Sequence, residues 1–189
     1  MNISEEVIKT CAILTKGGTI IYPTDTIWGI GCDATNSKAI DKIISIKKSP
    51  PSKCMLILLD QAEKIYNYIH KMPDIAWDLI TQTTRPTTFI YPKAKNLPEN
   101  LIAKDGSIAI RITTNEFCKR VIRLLGHPIV STSANFAGKT PPILYKDIQK
   151  ELFNEVDYIV NLNTSILNEN KPSTIIRFID DFSFEIIRE

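Results

Sequence analysis

The sequence is poor in the residues that usually hold cofactors. It has two histidines, seven glycines and four cysteines in 189 residues. Cys11, Cys32, Cys54 and Cys118 lie far apart with no C-x-x-C pair, which excludes a zinc ribbon or a thioredoxin-like motif and reads as reduced thiols. His70 and His127 have no partner at ligand spacing and read as structural or surface residues. Gly29-x-Gly31 lacks the third glycine of a dinucleotide fingerprint, and Gly138-Lys139-Thr140 has Ser133 where a P-loop needs its first glycine. No G-x-S-x-G elbow surrounds Ser131 or Ser133, which argues against a serine hydrolase. The chain contains no run of about 18 uninterrupted apolar residues and opens on no basic stretch followed by an apolar one. A cytoplasmic protein without a membrane partner is therefore expected. A formal charge of +2 is too small to announce a nucleic-acid binder.

What is present is globular. With 43% hydrophobic and 23% charged residues the chain can bury one core of ordinary size. A single domain over residues 1–189 is expected. Ser4 can cap a first helix whose apolar residues Val7, Ile8, Cys11, Ala12 and Leu14 recur at helical spacing up to Gly17-Gly18. Thr19 to Tyr22 reads as a strand closed by Pro23, followed by a polar turn with a glycine exit. Asn36 or Ser37 starts a second helix that turns Ala39, Ile40, Ile43, Ile44 and Ile46 inward and leaves Lys38, Asp41, Lys42 and Lys47 wet, before Pro50-Pro51. Met55 to Leu59 is a buried strand. Helical segments follow near Gln61 to Lys71 and Asp74 to Gln82, and strands at Thr87 to Tyr91 and Ile108 to Ile112 flank an irregular stretch from Lys93 to Lys104. Asn115 caps a helix ended by Gly126. Pro128 to Asn135 runs strand into polar turn, and a helix near Tyr145 to Phe153 precedes strands near Tyr158, Thr174 and Phe184. Helices and strands alternate irregularly, so the expected fold is α/β, a twisted mixed sheet flanked by helices.

Four stretches are too polar for a core and stand at strand ends or in loops: Thr24 to Thr26, Lys47 to Lys53, Arg111, and Ser131 to Asn135. Each has a plain structural alternative. The first is also a hydrogen-bonded turn, the last a helix-cap cluster, the lysines a solvated face, and Arg111 a structural ion pair.

Taken in order, these stretches resemble one family. Tyr22-Pro-Thr-Asp-Thr-Ile-Trp-Gly-Ile-Gly-Cys-Asp-Ala34, then Ile46-Lys47 and Lys53, Asp105-Gly-Ser-Ile-Ala-Ile-Arg111, Ser131-Thr-Ser-Ala-Asn135 with Gly138, and Pro172-Ser-Thr174 look like the YrdC/Sua5 family in its short form. The resemblance implies a deep basic cleft and threonylcarbamoyl-AMP synthase activity, in which L-threonine, bicarbonate and ATP give threonylcarbamoyl-adenylate and pyrophosphate for the t6A modification of tRNA. It implies L-threonine contacts from Thr24, Thr26, Arg111, Ser131 and Ser173. It implies ATP contacts from Lys47, Lys53, Ser107, Ser133, Asn135 and Arg188, with Lys47 and Lys53 as the catalytic cations. ATP would be a substrate, with Mg2+ carried on it, no protein metal ligands and no permanently bound cofactor. The partners implied are tRNA and the threonylcarbamoyl-transfer machinery.

The chemistry suits these residue types. An amino acid needs a fixed cation for its carboxylate and small hydroxyls for its other groups, and a triphosphate needs positive charge and directional donors. The sequence departs from the family pattern at Ser49, where an arginine is usual, at Cys54, and at Arg85 within Thr84-Arg-Pro-Thr-Thr88. Lys48 or Arg85 is the expected substitute for the missing guanidinium. The alternative reading is an RNA-binding module of the same fold, resting on Lys47, Lys48, Lys53, Lys93, Lys95 and Lys104, though no aromatic residues are interleaved with them as a stacking surface requires.

Overall fold

A computed structural model describes residues 2–48, 55–162 and 171–189. Its frame is a nine-stranded mixed sheet. In chain order the strands are β1 (Ile20–Pro23), β2 (Trp28–Gly31), β3 (Leu56–Leu59), β4 (Thr87–Tyr91), β5 (Ile108–Ile112), β6 (Ile129–Ser133), β7 (Tyr158–Ile159), β8 (Thr174–Phe178) and β9 (Phe184–Arg188). They stand side by side as β7-β1-β2-β6-β3-β5-β4-β8-β9. The helices are α1 (Ile3–Thr15), α2 (Ser37–Lys47), α3 (Ala76–Gln82), α4 (Glu116–Leu125) and α5 (Lys150–Phe153).

Strand alternation divides the apolar residues between two faces. Ile21, Ile30, Ile57, Val130, Ile110, Phe89 and Ile176 point to one face, where α2 covers them with Ala39, Ile40, Ile43 and Ile46, joined by Ile65 and Ala76. Ile20, Tyr22, Leu58 and Ile129 point to the other, under Val7, Cys11 and Leu14 of α1 and Phe117, Cys118, Val121 and Ile122 of α4. The second cover stops there. Beyond Leu58 the same face continues through Arg111, Thr88 and Ile175, which are register partners in β5, β4 and β8, and there it lines a cavity.

Several elements differ from the sequence expectation for identifiable reasons. Asn2, not Ser4, caps α1, its side chain accepting from the Ser4 amide at 3.1 Å. The glycine exit is itself a strand: β2 pairs antiparallel with β1 from Ile20↔Gly31 to Pro23↔Trp28. Gly31 is required there, because a Cβ would stand 2.1 Å from the Val130 carbonyl oxygen. The first helical segment after β3 is a 3₁₀ turn, Ala62–Asn67. Its continuation is drawn into pairing with the next loop, where His70 N–H donates to Lys93 O at 3.1 Å and Lys95 N–H to Tyr68 O at 2.9 Å. The late helix breaks into a 3₁₀ turn, Tyr145–Asp147, and α5, separated by extended Ile148, whose side chain is buried. Asn36, Asn115 and Gly126 cap helices as expected. Pro50 and Pro51 lie outside the described residues.

Candidate functional site

The cavity occupies about 450 Å³ over the uncovered half of the sheet. Among the described residues, the charged side chains lining it are Arg111, Arg177 and Arg188, and no carboxylate lines it. Neighbouring strands lie about 4.8 Å apart, so Arg111 of β5 and Arg188 of β9, three strands away, are separated by about 14 Å. Alternation normally sends adjacent residues to opposite faces, yet both Ile187 and Arg188 reach the cavity. A register shift explains this: Ile175 opposes Arg188 while Ile176 opposes Ile186, leaving Ile187 as the extra residue of a bulge.

At one end Arg111 is 4% exposed and faces Asp25, with the guanidinium NH2 group 3.1 Å from Oδ1. The Thr114 amide fixes the other Asp25 oxygen at 3.2 Å. Arg111 Nε is buried with no hydrogen-bond partner. A buried unpaired donor on an ionised group is costly, and a carboxylate entering the cavity would satisfy it. Small hydroxyls surround it. Thr24 Oγ1 donates to Ile27 O at 2.7 Å, accepts from the Thr26 amide at 3.0 Å and lies 3.0 Å from Thr26 Oγ1. Ser173 Oγ lies 2.8 Å from Thr88 Oγ1, and the Ser173 carbonyl accepts from Arg188 Nε at 3.0 Å. Ser131, on β6, completes this group. Beneath it, burial pushes the Tyr22 phenol and the Cys118 thiol up, so both stay neutral.

Ser107 and Ser133 line the other end. Ser107 is held by Asp105, which accepts from its amide at 3.0 Å and its hydroxyl at 2.6 Å. Asp105 also takes a bond from Arg177 at 2.8 Å. These contacts, with the Ser107 hydroxyl foremost, hold the Asp105 carboxyl down at about 2.

Of the expected site residues, Thr24, Thr26, Ser107, Arg111, Ser131, Ser133, Ser173 and Arg188 therefore share one cavity. Lys47 and Asn135 stand behind it. Lys47 was expected on a wet face; instead it is buried, because it donates to Ser133 O at 2.6 Å, Asn135 O at 2.6 Å and Asn135 Oδ1 at 3.0 Å. The Asn135 amide in turn donates to Phe136 O and Lys139 O. Together they brace the turn that carries Ser133. Lys53, Ser49 and Cys54 lie outside the described residues. Neither expected substitute for the missing guanidinium lines the cavity: Lys48 lies over the Phe136 ring at 5.7 Å, and Arg85 is exposed. Sequence reasoning gave no role to Asp25, Asp105 or Arg177, although Asp25 stands inside the polar stretch Thr24 to Thr26, Asp105 opens one of the quoted motifs, and Arg177 is a charged residue within an otherwise apolar strand.

The family model for Sua5/YciO/YrdC, described as "Telomere recombination", matches residues 12–189. The chain belongs to the Sua5/YciO/YrdC family. The threonylcarbamoyl-AMP synthase of Pseudoalteromonas translucida (strain TAC 125) is 31% identical over 169 residues, 88% of each chain. The solved structure of P. abyssi Sua5 complexed with L-threonine superposes with a TM-score of 0.88 at 21% identity, covering all of this chain and 54% of that one. E. coli YciO gives 0.82 at 23% identity, covering all of this chain and 90% of that one. No helix among the described residues is long and apolar enough to cross a membrane.

Proposed function

We propose that this chain is a threonylcarbamoyl-AMP synthase, a nucleotidyltransferase that converts L-threonine, bicarbonate and ATP into threonylcarbamoyl-adenylate and pyrophosphate. The observation that carries this reading is Arg111. It is a buried guanidinium on a cavity floor, with an unpartnered Nε and a ring of small hydroxyls around it, which is what an α-carboxylate requires. The curated relative's name and the L-threonine complex of the P. abyssi protein support the same substrate.

In this reading Arg111 holds the L-threonine carboxylate, and Thr24, Thr26, Ser131 and Ser173 bind its polar groups. The amine, once neutral, attacks CO2 and gives up a proton, or attacks bicarbonate with loss of water, and either route gives a carbamate. A carbamate oxygen then attacks the α-phosphorus of ATP, the bond to the bridging oxygen breaks, and pyrophosphate leaves. The protein contributes position and charge, with no covalent intermediate. Ser107 and Ser133 donate to the nucleotide, and Arg188 supplies charge beside Ser173. Lys47 acts through the turn it braces, and Lys53 is the cation assigned to the phosphates. Mg2+ arrives on the nucleotide. The adenylate passes to the machinery that modifies tRNA.

The test is pyrophosphate release with ATP, L-threonine and bicarbonate each omitted in turn. Release that needs all three is the expected result. Release independent of L-threonine and bicarbonate, or tRNA binding without turnover, rejects the synthase.

A further inference from the structure

Ser107 and Ser133, the two serines given to the nucleotide in the proposed reaction, stand on different segments of the chain, and both segments are tied to α2. The end of β6 and the turn after it are tied at the last turn of the helix by Lys47, which donates to Ser133 O, Asn135 O and Asn135 Oδ1. The stretch that leads into Ser107 is tied near the start of the helix. There Asn100 Nδ2 donates to Ser37 O at 2.9 Å and to Asp41 Oδ1 at 2.7 Å. One acceptor is a carbonyl and the other a carboxylate, so the amide meets both with its NH2 group.

Residues 97–103 depend on this clasp. Leu101 N–H donates to Pro98 O, Ile102 N–H to Glu99 O, Ala103 N–H to Ser107 O and Gly106 N–H to Ala103 O, so the backbone closes on itself and on the turn it leads into. Among the described residues, the hydrogen bonds that join 97–103 to the rest of the fold come from Asn100. Leu97 and Leu101 pack with the core that α2 covers, but apolar contact is non-directional and fixes no register. Asn100 supplies the direction. Leu101, Ala103 and Ser107 line the cavity, whereas Asn100 does not. Asp41 and Lys47 are six residues apart, about 9 Å along a helix. The helix therefore stands as a strut between the segment that carries Ser107 and the one that carries Ser133.

We propose that α2 sets the separation of these two serines, and that Asn100 is a positioning residue for the nucleotide, acting from outside the cavity through the segment that ends at Ser107. The inference rests on the nucleotide use proposed above. Without the clasp, residues 97–103 slide on Leu97 and Leu101, and a nucleotide that needs both serines binds less tightly. L-threonine, held at the Arg111 end, is not affected.

Reversing the polarity of the clasp tests this. Asn100→Asp sets a second carboxylate against Asp41 and against the Ser37 carbonyl. Asn100→Asp combined with Asp41→Asn again pairs an amide donor with a carboxylate. Binding of α,β-methylene ATP, whose pyrophosphate end cannot depart, is measured by calorimetry with L-threonine present, and binding of L-threonine is measured alone. Asn100→Asp is expected to weaken nucleotide binding by about five- to tenfold with L-threonine binding held. The double variant is expected to return to within about twofold of the unaltered protein. Nucleotide binding indifferent to Asn100→Asp, a double variant that binds no tighter than the single one, or equal loss for both ligands overturns this inference alone. Nucleotide binding that follows the prediction in a protein that releases no pyrophosphate rejects only the synthase reading. Failure of the unaltered protein to bind any nucleotide overturns both.

Discussion

Asp25→Asn removes one charge from the pair that holds Arg111 and changes little else. The two groups lie 3.1 Å apart with side chains only 1% and 4% exposed, so water cannot solvate the guanidinium left behind. The substituted amide still offers an oxygen to the Thr114 amide, so the loss is mainly electrostatic. Removing one partner of a buried ion pair costs roughly 3–5 kcal/mol, against roughly 1 kcal/mol or less for an exposed pair. In a chain of this size each kcal/mol moves Tm by about 2–4 °C, so a fall of roughly 6–20 °C follows. Melting followed by circular dichroism, with and without L-threonine, is the assay. A carboxylate in the cavity would replace the lost counter-charge, so saturating L-threonine should raise Tm of the variant by more than it raises that of the unaltered protein. A fall of less than about 3 °C, or equal stabilisation of both proteins, would refute the view that Arg111 depends on Asp25 and faces a carboxylate.

Three further outcomes follow from the same structure. Gly31→Ala should destabilise the fold by roughly 3 kcal/mol or more, read as a lowered urea midpoint, because the new methyl meets the Val130 carbonyl oxygen at 2.1 Å and the Tyr22 ring at 2.8 Å. Lys47→Met should lower both stability and turnover, since the Asn135 carbonyl and side chain lose a buried cationic donor and the turn carrying Ser133 loosens. Asp105 has its carboxyl lowered from 3.8 to about 2 in the folded protein, so its contribution is complete above the unfolded value and is lost as pH falls through the folded one. Acid unfolding of Asp105→Asn should therefore be less steep than that of the unaltered protein between about pH 4 and 2.

Much of this was legible in the sequence because it rests on local signals. Asn36, Asn115 and Gly126 cap helices through their own side chains or backbone, and the β-branched and aromatic residues of Thr87 to Tyr91 and Ile108 to Ile112 belong to the strands themselves. The shared cavity of Thr24, Arg111, Ser131 and Ser173 followed from the family resemblance, since their separations in sequence say nothing about proximity. What sequence could not show depends on distant partners. Trp28 to Gly31 looks like a turn until Val130 and Ser133 of β6 pack against it. Lys47 looks solvated because helical periodicity does not reveal the oxygens of Ser133 and Asn135, at the end of β6 and just beyond it, that meet its ammonium group. Arg177 sits at an alternating position in an apolar strand, and only the bulged β9 and the Asp105 loop make it part of the floor.

The central claim is that this cavity makes a carbamoyl-adenylate from L-threonine. Mass spectrometry of a reaction containing isotopically labelled bicarbonate, L-threonine, ATP and Mg2+ tests it most directly. The account predicts threonylcarbamoyl-adenylate carrying the bicarbonate label, formed in step with pyrophosphate and lost in Arg111→Ala. Pyrophosphate released with no labelled adenylate, or an unlabelled threonyl-adenylate in its place, would contradict it.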